Sequence, residues 1–164
     1  MSLEGRPVSL QETLRIIGLE LETRRPLSAQ LTVDSAGVAV ESGADHAGLR
    51  YAWADLAAQA EAERAHRHRG STGQGQPDAG DLTRWSVLLR VIGQLLDAQG
   101  VQDCHIEAAP RLPMSPDPCR VTVTVAGRVV FREAAIEEQA MLLRVRRGVT
   151  TSRRRDKWKF WRRS

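Results

Sequence analysis

Read as a pattern of apolar spacings, the chain is expected to be α+β: an internal duplication of a helix–three-strand–helix unit, with antiparallel sheets, helices on one face, and the copies packed as a pseudo-two-fold dimer in one chain. The first ground is self-similarity. Leu14-Arg15-Ile16-Ile17-Gly18 matches Leu89-Arg90-Val91-Ile92-Gly93, 75 positions later, and the register continues through Leu21 with Leu96, Glu22 with Asp97 and Leu31 with Ile106. Further on the offset becomes 78, where Arg50 meets Arg128, Trp53 meets Phe131, Asp55 meets Glu133 and Ala62 meets Ala140. The second ground is that helical spacing and strand alternation follow each other in the same order in both copies. The boundaries read as 1–70 for the first repeat, 71–80 for a Gly-rich linker, 81–149 for the second repeat and 150–164 for a basic aromatic tail.

In the first copy, Ser9-Leu-Gln-Glu12 fits a capping box, in which hydroxyl and carboxylate satisfy free N–H groups at a helix start. Leu10, Leu14, Ile17 and Leu21 form one stripe of an amphipathic helix, and Arg24-Arg25-Pro26 ends it. Ala29, Leu31 and Val33 alternate with polar residues as a half-buried strand does. Asp34-Ser-Ala-Gly37 should turn into Val38–Val40, Leu49–Trp53 gives a third strand, and Asp55 should cap an Ala-rich helix running to about His68.

The second copy repeats the plan. Trp85, Leu88, Leu89, Ile92 and Leu96 line a helix that stops before Gly100. Cys104, Ile106 and Ala108 mark one strand, Val121, Val123 and Val125 the next, and Arg128–Phe131 a third after an Ala126-Gly127 turn. Ile136, Ala140 and Leu143 stripe the last helix. The three extra residues of this copy are expected in the loop that carries Pro110, Pro113, Pro116 and Pro118. The linker between the copies should be flexible, with an r.m.s. span of ~18 Å. A unit of about 65 residues is marginal alone, so the two should pack together as a fused symmetric dimer.

Composition narrows the function less than the architecture. The 164 residues include 41% hydrophobic and 27% charged side chains, ordinary for a globular domain. No apolar run approaches the ~20 residues of a membrane-spanning helix, and residues 1–8 lack a signal-peptide pattern. Two cysteines are too few for a disulfide framework, so a cytoplasmic setting is expected. Of the 24 basic residues only Lys157 and Lys159 are lysines; with 20 alanines, that bias suits a GC-rich bacterial coding sequence.

Catalytic signatures are missing, and no cofactor or metal is expected. Gly75 and Gly80 have the spacing of a phosphate-binding loop, but Asp81-Leu82 follows where Lys and Ser or Thr are needed. His66 and His68 point ~200° apart on a helix and sit among arginines. Cys104 and His105 face opposite sides of a strand. Glu133, Glu137 and Glu138 read as a solvated helix surface.

Charge is where the sequence speaks. Residues 144–164 hold ten basic groups and one acid, whereas residues 1–143 hold 14 basic and 19 acidic groups. In the tail, Trp158, Phe160 and Trp161 stand among Arg153, Arg154, Arg155, Lys157, Lys159, Arg162 and Arg163. Cations neutralise phosphates while rings stack on unpaired bases, so this segment is expected to contact nucleic acid. An anionic membrane surface suits the same composition, and docking to a protein partner is a further option. The tail would otherwise fold back on the acidic body, its tryptophans filling a groove between the copies. The expected role is a non-enzymatic interaction or scaffold module; the alternatives are a peripheral membrane protein, or a small enzyme whose active site lies in that groove.

Overall fold

A computed structural model describes residues 9–43, 48–69 and 80–159, with side chains for 9–43, 48–66 and 80–146. Its elements run α1 (Leu10–Arg24), β1 (Ala29–Val33), β2 (Gly37–Ser42), β3 (Leu49–Ala52), α2 (Trp53–Arg69), α3 (Trp85–Ala98), β4 (Cys104–Ala109), β5 (Arg120–Val125), β6 (Arg128–Arg132) and α4 (Glu133–Lys159). The chain is α+β, with four helices and one antiparallel sheet of six strands among the described residues.

Each boundary has a local cause. Ser9 accepts the Glu12 N–H at 3.3 Å and opens α1. Leu10, Leu14, Ile17 and Leu21 are all buried, as their spacing requires. Arg25 adopts the left-handed conformation at φ 51° and returns its N–H to the Leu21 carbonyl, which ends the helix before Pro26. Asp34 Oδ1 accepts the N–H groups of Ala36 and Gly37, so its side chain shapes the turn from β1 into β2.

The strand order is β3-β2-β1-β4-β5-β6, so the sequence reads outward in both directions from a central β1–β4 pair. In that pair Leu31 lies opposite Ile106, flanked by Val33 opposite Cys104 and Ala29 opposite Ala108. These six side chains point to the buried face, beneath Leu14, Ile17, Leu88 and Ile92 of α1 and α3. Gln30, Glu107 and Thr32 point to the other face and are exposed, the alternation of a sheet covered on one side. Burying a side chain such as Leu31 or Ile106 is worth roughly 1.5–3 kcal/mol, which makes this central pair a main source of cohesion.

Three details differ from expectation. Trp53 starts α2 rather than ending β3; its indole N–H donates to the Asp34 carbonyl at 3.0 Å, and Asp55 sits in the first turn instead of at the cap. The extra length of the second half does not sit in one insertion. Its β4–β5 loop is seven residues longer than the β1–β2 turn, and its β5–β6 turn four shorter than the β2–β3 connection. Lastly, α4 runs through residue 149, where the sequence suggested a separate tail, to Lys159.

Candidate functional site

A groove between the halves was the expected place for a ligand, an active site or the tail. On the helical side that space is filled by α1 and α3. A Cβ on Gly18 would lie 2.5 Å from the Ser86 Cα, and one on Gly93 would lie 2.5 Å from the Leu10 carbonyl oxygen. The two glycines, matched in the sequence, thus let two helix backbones touch. Asp97 accepts the N–H groups of Leu10 and Gln11 at 3.0 and 2.9 Å, and Glu22 accepts the N–H and hydroxyl of Ser86. Arg84, at the start of α3, adds a second partner for Glu22 at 3.1 Å. Burial pulls the Glu22 carboxyl upward, but the bonds from Ser86 and Arg84 outweigh it and hold it below the ordinary carboxylate range.

Outside this seam the halves diverge. In the first, Arg15 pairs with Glu63, and Arg64 makes a two-toothed pair with Glu12 at 2.9 Å, so α2 is buckled to α1 by charge. On α4, beside the core stripe Ile136 and Ala140, stand Met141 and Leu142. Both are exposed, and Val145 extends the stripe one turn on. Of the eight large apolar side chains exposed among the described residues, only Leu27 belongs to the first half. The others are Leu112, Met114, Val129, Val130, Met141, Leu142 and Val145.

Beneath that stripe, Ile136 and Ala140 seat α4 in the core and Leu143 is half-buried. Arg144 donates to the Gly80 carbonyl at 2.7 Å and pins this turn of the helix. Arg153, Arg154, Arg155, Lys157, Trp158 and Lys159 fall within the last turns of α4, although their side chains lie outside the described part. Trp161, Arg162 and Arg163 lie outside the described residues, as does the expected linker 71–80 except for Gly80.

Glu137, Cys119 and His105 have structural partners. Glu137 accepts the Cys119 N–H at 3.3 Å. The Cys119 thiol, buried and beside Glu137 and Glu133, is pushed up to about 12, which keeps it protonated and inert. His105 lies beside Thr32 at 3.2 Å on the uncovered face of the sheet, while Cys104 is buried on the other. No three His, Cys, Asp or Glu residues converge as metal ligands among the described residues. One cleft of about 280 Å³ is lined by Ser9, Gln11, Glu12, Arg15 and Arg90. Another of similar size lies on the sheet among Gln30, Glu107, Arg120 and Thr122. Both are shallow; the first is polar, and the second mixes these polar groups with Ala29, Ala108 and Val121.

Sequence reasoning missed the exposed stripe of α4, although Met141, Leu142 and Val145 are spaced for one helix face; attention to the core stripe hid it. No helix among the described residues is long and apolar enough to cross a membrane. In comparisons with protein-family models, curated proteins and solved structures, nothing matches this chain.

Proposed function

We propose that the chain is a non-enzymatic binding module, a duplicated helix–three-strand–helix unit whose second copy carries the contact surface and whose basic aromatic end engages nucleic acid. The course of α4 carries this reading. Seated by Ile136 and Ala140, the helix continues unbroken through Arg144, Arg146, Arg147, Arg153, Arg154, Arg155, Lys157 and Lys159. Sixteen helical residues span about 24 Å, the length of about seven base pairs. A helix of that length with eight cations matches the major groove in width and charge. Trp158, Phe160 and Trp161 add rings that stack on unpaired bases.

The duplication is supported by paired features: Gly18 with Gly93, Glu22 with Asp97, and Leu31 facing Ile106 at the centre of the sheet. A two-fold axis through that pair would place each matched residue opposite its equivalent. An anionic membrane is the second reading, favoured by the apolar stripe Met141, Leu142 and Val145 on the same helix. Either surface would be met in the cytoplasm.

Full-length protein titrated with duplex and single-stranded oligonucleotides tests the first reading. Log K should fall with log salt at a slope of about −3 to −5 on duplex. Trp158→Ala and Trp161→Ala should weaken single-stranded binding by about 1–3 kcal/mol per stacked base. A blue shift of tryptophan fluorescence on anionic liposomes, with no oligonucleotide binding, moves the assignment to membranes. A deletion of 150–164 that lowers only the melting temperature removes both.

A further inference from the structure

Ile136 and Ala140 turn one side of α4 to the core. At about 100° per residue, Met141, Leu142 and Val145 fall on the opposite side, 47–60% exposed. Charge is arranged about the middle of this stripe. Glu138 stands four residues before Leu142 and Arg146 four after it, and both are exposed. Glu138 makes no hydrogen bond or ion pair with any described residue. It also lies in the second turn of the helix, past the first turn where the helix dipole rewards an acid.

We infer that α4 is the interface of a homodimer, in which its exposed stripe packs antiparallel against the same stripe of a second molecule of this chain. A two-fold axis through Leu142 sets each position before it against the position equally far after it in the other molecule. Glu138 of each molecule then meets Arg146 of the other, and the pair occurs twice beside an apolar centre. Parallel helices would instead set Glu138 against Glu138 and Arg146 against Arg146. The edge strand β6 is a poorer self-partner, because antiparallel pairing about Val130 opposes Arg128 to Arg132. The outer helix of the first half, α2, exposes no large apolar side chain among its described residues, so the contact closes as a dimer and does not propagate. An anionic bilayer would also take the apolar stripe, but it repels Glu138 and makes no use of the change of sign along the helix. Because α4 begins at Glu133, nine residues before Leu142, the two helices overlap only to position 151. The turns from Arg153 to Lys159 lie past the contact, so the dimer is independent of the nucleic-acid reading.

The test is sedimentation equilibrium of the full-length protein, free of nucleic acid, at concentrations up to about 100 μM, which reaches a micromolar Kd. A mass of twice the 18.2 kDa chain is expected. Leu142→Glu should raise the dimer Kd by about a hundredfold, since it buries two unpaired charges at the centre. Glu138→Arg and Arg146→Glu should each raise it by about tenfold, because symmetry counts every reversed pair twice. The double variant carrying both reversals should regain the parent affinity, a rescue that only the antiparallel register gives. Circular dichroism of each variant at a concentration where the parent is monomeric should match the parent; a variant that does not is replaced by the remaining reversals, which carry the same test. The inference is overturned by a parent that stays monomeric throughout, by a dimer that survives Leu142→Glu, or by single reversals without effect. It is also overturned by a double reversal no better than the singles. A monomer whose binding to anionic liposomes is lost in Leu142→Glu overturns it as well and gives the stripe to a membrane.

Discussion

Glu22 and Asp97 do the same work for each other's helices. Each sits near the end of its own helix, and each carboxylate holds N–H groups at the start of the neighbour: Asp97 those of Leu10 and Gln11, Glu22 that of Ser86. The first turn of α3 has no side-chain cap of its own from Arg84, so this borrowed carboxylate satisfies a group otherwise unpaired beside the core. Antiparallel packing makes the exchange mutual, because the end of one helix lies beside the start of the other.

Removing either carboxylate should therefore behave as loss of a helix cap rather than of a surface charge. Asp97→Ala and Glu22→Ala are each expected to lower stability by about 0.5–2 kcal/mol in urea titrations. Exposed Asp103→Ala should change it by less than about 0.5 kcal/mol.

Acid should find Glu22. Glu22 is held below the ordinary carboxylate range, so the unfolded chain takes up its proton first as pH falls. The stability it contributes is fully present above that range and disappears from about pH 5 downward, as pH passes the folded value. Thermal melts across that interval should show a shallower acid slope for Glu22→Gln than for the parent protein.

Gly18 and Gly93 test the backbone contact. Alanine at either gains roughly 1 kcal/mol of helix propensity. The added Cβ would press on the backbone of the opposite helix at 2.5 Å, and overpacking of that kind costs about 1–3 kcal/mol. Steric pressure wins, and both variants should melt below the parent.

Cysteine labelling offers a readout of the core. With Cys104 and Cys119 both buried and the Cys119 thiol pushed up to about 12, the native protein should resist iodoacetamide at neutral pH. Two equivalents should react in denaturant; fast native labelling would mean that the end of the sheet near Cys119 opens.

Much of the frame was legible because its signals are local. The stripe Leu10, Leu14, Ile17, Leu21 and the alternation of Ala29, Leu31, Val33 each need only a few neighbours to be read. Asp97 was not legible as a cap, since its partners are 86 and 87 positions away in sequence. The change of offset was misleading for the opposite reason: a longer loop and a shorter turn partly cancelled, so two differences looked like one small insertion. For the functional surface, the charge of the C-terminal end was plain in the sequence. The exposure of Met114 and Met141 was not, because only the packed chain decides which apolar residues are left outside.

The β1–β4 seam has a consequence for how the protein is made. Leu31 meets its partner only when Ile106 exists, and α1 gains the Asp97 contacts and its α3 packing face only once α3 has been synthesised. At roughly 5–20 residues per second, the ribosome needs on the order of 4–15 s to add the intervening residues. During that wait the nascent first half carries Leu14, Ile17 and Leu21 without the surface that will cover them. Yield in cells should therefore depend on translation speed across residues 34–106 as well as on final stability.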